Sequence, residues 1–142
     1  MMISTRGRYA LRVLIDLAEH YDGNYIPMKD VAERQEISLK YIEKIMPVLT
    51  KNNLVDGLHG KGGGYKLNRD ADQYKVGDIL KLTEGSLAPV SCLEDGAEPC
   101  SRMAECRTID MWKKFYELTN SYFNDITIAD LMNNPTADNY II

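Results

Sequence analysis

A glycine-rich tip, His59-Gly60-Lys61-Gly62-Gly63-Gly64, separates two short strand-like runs, Leu54-Val55-Asp56-Gly57-Leu58 and Tyr65-Lys66-Leu67. Strand, glycine loop and strand read as a β-hairpin with a longer loop. The residue order argues against the alternative, a phosphate cradle. Lys61 precedes the glycines, no Ser or Thr follows them, and the next segment is strand-like where a P-loop requires a helix. The chain before the hairpin is helical. Ala10, Val13, Leu14, Leu17, Ala18 and Tyr21 recur at helical spacing and give one buried stripe to a helix over Thr5 to Tyr21. Ser4 or Thr5 caps it, and Asp22-Gly23-Asn24 ends it with a turn. A short helix from Met28 to Gln35 starts just after Pro27, with Val31 and Ala32 on its core side. Ser38 then caps a third helix from Leu39 to Asn52, whose stripe is Ile42, Ile45, Met46 and Leu49. Pro47 lies inside this helix, where it removes the N–H that would bond Glu43 and predicts a kink or a lost bond. Two helices joined by three or four residues, the second with a polar face, match a helix-turn-helix. With the hairpin behind it, the unit is a winged helix.

The rest of the chain reads as an appendage to that unit. Val76 to Glu84 forms a short amphipathic helix with Ile79, Leu80 and Leu82 inward. Residues 85–107 carry Gly85, Pro89, Gly96, Pro99 and all three cysteines; an irregular connection of more than 20 residues is usually functional or disordered. Thr108 to Phe123 is a strongly apolar helix. Met111, Trp112, Phe115, Thr119, Tyr122 and Phe123 make a band wider than so small a winged helix needs for cover, so it reads as a dimerisation helix. A last short helix follows with Thr127-x-x-Asp130 as its capping signal, ended by Asn133-Asn134-Pro135. The expected division is a winged helix-turn-helix domain over 1–84, a cysteine-bearing sensor loop over 85–107, dimerisation and docking helices over 108–134, and a loose tail over 135–142. The fold class is mainly α with a small β-hairpin.

The 142 residues, 44% hydrophobic and 27% charged, have the composition of one soluble globular domain. Apolar stretches are only a few residues long, too short for a transmembrane helix, and no membrane partner is expected. The N-terminal apolar segment is interrupted by arginines and lacks a small-residue cleavage site, so it reads as mature sequence and the cytoplasm is the expected location. The net charge of −4 opposes a generally adhesive nucleic-acid binder, but it is unevenly spread. Residues 1–70 carry 11 Lys/Arg against 9 Asp/Glu, and residues 71–142 carry 6 against 12. The cationic half is the half that holds the helix-turn-helix, which leaves a local DNA-binding surface open.

Candidate DNA-reading residues follow from that placement. Major-groove reading needs polar side chains at the front of a helix. Ser38, Leu39, Lys40, Tyr41, Glu43, Lys44 and Lys51 are those of the third helix, and a solvated helix face is the alternative for the same charges. At the wing, His59, Gly60 and Lys61 can approach phosphates or the minor groove, or form a plain flexible hairpin. A dimeric reader implies a palindromic double-stranded operator. His20 ends the first helix, where a cation suits the dipole. No Ser/His/Asp or Cys/His arrangement appears, so no enzyme is expected.

Cys92, Cys100 and Cys106 are the only cysteines and fall within 15 residues. An odd number without a secretion signal opposes a disulfide scaffold. The spacing C-x7-C-x5-C fits poorly with structural zinc, whose cysteines usually come in C-x2-4-C pairs. Three thiolates on one loop could wrap an iron–sulfur cluster, which needs a fourth ligand. They could also sense redox state directly: Cys106, before a helix N-terminus and near Arg102 and Arg107, should have a lowered pKa. The carboxylates Glu94, Asp95, Glu98 and Glu105 crowd the loop as solvated charges or as one further ligand.

In order and spacing, the segments STRGRYALRVLIDLA, ISLKYIEKIMPVLTKNNLV, HGKGGGYKL and YKVGDILKLTEG, the three-cysteine loop, the Trp112 helix and ITIADLMNN resemble the IscR-type family of winged-helix regulators, which includes NsrR and CymR. The resemblance covers about residues 1 to 134. It implies a dimeric winged-helix repressor or activator with a long dimerisation helix. By position it implies Cys92, Cys100 and Cys106 as ligands of a 2Fe–2S cluster, Ser38, Lys40 and Glu43 as recognition-helix contacts, and His59, Gly60 and Lys61 at the wing. The histidine that IscR itself supplies as fourth ligand, three residues after the last cysteine, is Ile109 here, and the acidic residue that NsrR uses near position 8 is Arg8. The fourth ligand is therefore unassigned, and the first cysteine gap is longer than in IscR itself. The expected function is a homodimeric, DNA-binding transcriptional regulator sensing iron–sulfur status or a redox or nitrosative signal. The alternatives are a cluster-free thiol-redox repressor and a metal-binding interaction module without a DNA target.

Overall fold

The computed structural model describes residues 2–132; the terminator at Asn133-Asn134-Pro135 and the tail over 135–142 lie outside the described residues. Among the described residues, six α-helices and a two-stranded antiparallel sheet run in the order α1 (Thr5–Glu19), α2 (Met28–Gln35), α3 (Leu39–Lys51), β1 (Val55–Leu58), β2 (Gly64–Leu67), α4 (Val76–Glu84), α5 (Ile109–Asn124) and α6 (Ile128–Leu131). This is a winged helix-turn-helix carrying a C-terminal helical appendage. β1 and β2 pair from Val55 with Leu67 to Leu58 with Gly64.

The stripes drawn from periodicity meet in one core. Ala10, Val13, Leu14 and Leu17 of α1 pack with Val31 of α2 and Ile42, Ile45, Met46 and Leu49 of α3, all fully or almost fully buried. Ser4 caps α1 by accepting from the Gly7 N–H, and Ser38 caps α3 by accepting from the Tyr41 N–H. α3 continues through Pro47 to Lys51. Two inward assignments need correction. α1 stops at Glu19 with His20 as its C-cap, so Tyr21 lies beyond the helix and is 56% exposed. On α4, Leu82 is 38% exposed, while Val76, Ile79, Leu80 and Thr83 face inward. Position 83 falls on the inner side of the turn, so the small hydroxyl residue is buried and donates to the Leu80 carbonyl at 3.2 Å.

One pairing was not visible in the sequence. Ile26 bridges Tyr65 through two backbone hydrogen bonds of 2.8 and 2.9 Å, adding a third extended segment alongside β2. Gly64 permits the approach: its φ is +147°, and a Cβ there would overlap the Ile26 carbonyl oxygen.

A buried polar cluster joins α1 to the first helix of the helix-turn-helix. The Asp16 carboxylate is inaccessible and accepts from Arg34 Nη2 at 2.7 Å, Arg34 Nε at 3.1 Å and Gln35 Nε2 at 3.0 Å. Arg12 donates in turn to the Gln35 side chain and carbonyl. A bidentate arginine fixes an angle as well as a distance, so this cluster sets the pose of α2 on α1. Asp16→Ala is expected to destabilise the protein by about 2 kcal/mol, less than for a wholly buried pair because the partly exposed Arg34 rehydrates. Urea unfolding monitored by circular dichroism checks this, and an unchanged midpoint would contradict it.

The appendage is tied back at two levels. Val76, Leu80 and Leu87 pack with Tyr116, Phe123 and Ile126, fastening α5 to α4. Ile128 of α6, fully buried in the main core, donates its N–H to the Tyr74 carbonyl at 2.9 Å. Thr127 and Asp130 form the expected capping box.

Candidate nucleic-acid interface and cysteine loop

The turn between α2 and α3 is set by Glu36 in the left-handed region (φ 54°) and by buried Ile37 behind it. This aims the front of α3 outward. Ser38, Leu39, Lys40, Glu43, Lys44 and Lys51 are exposed. Glu43 forms an ion pair with neither Lys40 nor Lys44 among the described residues. Tyr41 differs from its neighbours. It is half-buried, with its ring edge-on to Tyr9 at 5.3 Å, and so links α3 to α1 rather than projecting freely. At the wing tip, His59, Gly60 and Lys61 are exposed, and the turn closes through Gly63 N–H to the Gly60 carbonyl at 3.0 Å. Lys66, further down β2, lies 4.7 Å over the Tyr25 ring. α3 and the wing thus carry lysines with no carboxylate partner among the described residues. Sequence reasoning missed Arg6, an exposed residue that borders one surface depression with Tyr41, Lys44, Ile45 and Val48. The signal available was its place in the motif RGRYA.

The cysteine loop runs from the end of α4 to the start of α5. Cys92 sits in a 3-10 turn over Ser91–Leu93, and Cys106 directly follows another over Met103–Glu105. All three thiols are free; Cys92 and Cys106 are half-buried and Cys100 is exposed. Among the described residues, no three His, Cys, Asp or Glu side chains converge as a metal-holding group. The donor set still fits an iron–sulfur group in kind, because soft thiolates are its usual ligands. Hydrogen bonding from Thr108, whose Oγ1 lies 3.6 Å from Cys106 Sγ, pulls the Cys106 thiol below its ordinary range, and Arg102 adds to this. Ile109, three residues after Cys106, is buried and apolar and cannot be a ligand. Arg8 bonds the Thr5 hydroxyl at 3.0 Å.

The wide apolar band of α5 divides into two stripes. Ile109, Trp112, Tyr116 and Phe123 are buried or half-buried, and Tyr116 and Phe123 pack toward α4. Met111, Phe115, Leu118 and Tyr122 are 54%, 42%, 57% and 65% exposed. Their 4-3-4 spacing is that of a coiled-coil seam. Leu118 was absent from the sequence-derived band, whereas Trp112, Thr119 and Phe123 fall outside the exposed stripe. No helix among the described residues is long and apolar enough to cross a membrane.

Residues 3–134 match the family model Rrf2, described as an iron-dependent transcriptional regulator. The chain is 37% identical over 134 residues to the HTH-type transcriptional regulator IscR of Yersinia enterocolitica, covering 94% of this chain and 80% of that one. It shows the same identity and coverage with IscR of Serratia proteamaculans. Among solved structures it is similar to CymR, the global cysteine regulator of B. subtilis, with a TM-score of 0.74, 31% identity and coverage of 92% of this chain and 95% of that one. It is likewise similar to T. potens IscR, with a TM-score of 0.69, 30% identity and coverage of 92% and 85%.

Proposed function

This chain belongs to the Rrf2 family of transcriptional regulators, and from that premise we propose that it acts as a cytoplasmic homodimer on a palindromic operator, reading DNA through α3 and the wing and sensing its signal through the cysteine loop. It is a regulator and not an enzyme, as its relatives are. The observation that carries the DNA reading is the outward face of α3, where Lys40, Glu43 and Lys44 stand free of one another behind the Ser38 cap with the Lys61 wing on the same domain. Lysines without protein carboxylates are available to phosphates. Glu43, repelled by phosphates, gains only from a base donor such as cytosine N4, which makes it a selector of sequence.

The loop would hold a 2Fe–2S group through Cys92, Cys100 and Cys106. When bound, such a group supplies redox chemistry and sensitivity to iron supply, oxidants or nitric oxide. The Thr108 hydroxyl beside Cys106 Sγ supports a second reading, a cluster-free thiol-redox repressor, in which Cys106 with its lowered pKa is the reactive group.

Selection from a randomised duplex pool tests the DNA reading. A two-fold symmetric motif should be enriched, and Glu43→Ala should relax its base preference while leaving mixed-sequence binding intact. Absence of both enrichment and salt-dependent retention would defeat the proposal. A uniform effect of Glu43→Ala on all DNA would remove its selector role.

A further inference from the structure

The depression bordered by Arg6, Tyr41, Lys44, Ile45 and Val48 has two cations at its rim and apolar side chains from α3 beneath them. Arg6 comes from the first turn of α1, and Lys44 from the middle of α3, so the site is built from two helices. Two fixed attachments hold it together. Tyr9 of α1 meets Tyr41 of α3 edge-on, setting the separation of the two helices. The start of α1 is locked to the end of α4, where the Ser4 N–H and hydroxyl both donate to Glu84 Oε1, at 2.9 and 2.7 Å. That contact requires Gly7, where a Cβ would overlap the Glu84 carboxylate. The first turn of α1 is thus held in place although Arg6 itself is exposed.

The charges at the rim are unbalanced. No carboxylate borders the depression, and neither Arg6 nor Lys44 joins an ion pair among the described residues. Two cations facing one hollow repel each other, and an anion between them removes that repulsion. Lys44 lies on the helix assigned to the DNA groove, one turn beyond Lys40, so the anion that reaches the hollow when α3 is docked is a phosphate of the DNA backbone. Arginine suits a phosphate because it offers several donors in a planar fork.

We propose that Arg6 is a DNA-backbone contact that, together with Lys44, clamps a phosphate beside the recognition helix and fixes that helix in the groove without reading bases. This rests on the DNA-binding reading above and adds a contact from α1 to it.

The test is fluorescence anisotropy of a short labelled mixed-sequence duplex, titrated with protein over a series of salt concentrations. Arg6→Gln should weaken binding about 3- to 10-fold at fixed salt and flatten the log-log salt slope by about 0.9 for each protomer engaged. Arg6→Lys should restore most of the slope, and Lys44→Gln should resemble Arg6→Gln. Selected operator and mixed-sequence DNA should lose affinity equally. Inorganic phosphate at matched ionic strength should not compete; competition would mark a free-anion site and overturn the clamp. If wild type binds with a salt-dependent slope and Arg6→Gln matches it in affinity and slope, the clamp fails while the DNA reading stands. A loss confined to the operator would likewise overturn it, because that would be base reading. If wild type shows no salt-dependent binding, the DNA reading falls and takes the clamp with it. Thermal melts of each variant separate these outcomes from loss of folding.

Discussion

Phe115→Asp combined with Leu118→Asp should convert the protein to a monomer at micromolar concentration by sedimentation velocity, and its operator affinity should fall about 100-fold or more. The argument begins from the exposed stripe Met111, Phe115, Leu118 and Tyr122. Full burial of one large apolar side chain is worth about 1.5–3 kcal/mol, and a two-fold interface counts each position twice. Because each side chain is already about half buried, only about half of that value is gained per position, and the sum over both protomers is of the same order as an association cost of roughly 4–15 kcal/mol. Two aspartates per protomer would instead bring four carboxylates into one desolvated seam, where burial and like charge both oppose pairing. The effect on operator affinity follows from linkage of the half-sites. In a dimer, binding of the first half-site presents the second reader at an effective concentration of about millimolar, and a monomer lacks that advantage. Lys113→Asp, outside the stripe, is the control and should remain dimeric. A double variant that sediments as a dimer would move the interface away from α5.

How far the sequence foretold this arrangement depended on whether a residue's partner was local. Helix positions, the Ser38 cap, the glycine-rich wing and the Thr127–Asp130 capping box rest on interactions within a few residues, and periodicity or spacing revealed them. The bridge from Ile26 to Tyr65 is one residue pair between distant segments and leaves no period to detect. Asp16 falls on the buried stripe between Val13 and Leu17, and only its partners on α2, Arg34 and Gln35, explain a carboxylate there. The band on α5 was legible as apolar but not as two stripes. Tyr116 and Phe123 are half-buried because α4 lies against them, and α4 is distant in sequence. The same limit applied to the proposed DNA face. Lys44 was visible on its own helix, whereas Arg6 joins it only through the packing of Tyr9 on Tyr41.

Changing any one of Cys92, Cys100 or Cys106 to alanine should remove most of the visible absorbance of protein reconstituted anaerobically with iron and sulfide. Iron–sulfur groups are held by thiolates, and this chain has three, all on one loop. Loss of one leaves two protein thiolates for a group that needs four ligands. The loop has no redundancy from which to replace it, because the position three residues after Cys106 is buried Ile109 and position 8 is an arginine engaged with Thr5. The fourth ligand is then expected to be an oxygen from Glu98, Glu105 or Asp110, or a group from the partner chain. A carboxylate oxygen is a harder, more readily exchanged ligand for this group than a thiolate, so the absorbance should fade in air faster than all-thiolate ligation would allow. Carboxylate-to-amide changes at Glu98, Glu105 and Asp110, read as the rate of fading, would identify which oxygen is bound. The controls decide between the two sensing chemistries. Stable absorbance in all three single-cysteine variants would exclude these residues as ligands. A wild type that stays colourless after reconstitution, yet loses operator affinity when a thiol oxidant is added, would establish the cluster-free repressor. Its reactive group would then be Cys106, since the hydrogen bonding of Thr108 that lowers its pKa keeps the thiolate populated at a lower pH than an ordinary cysteine.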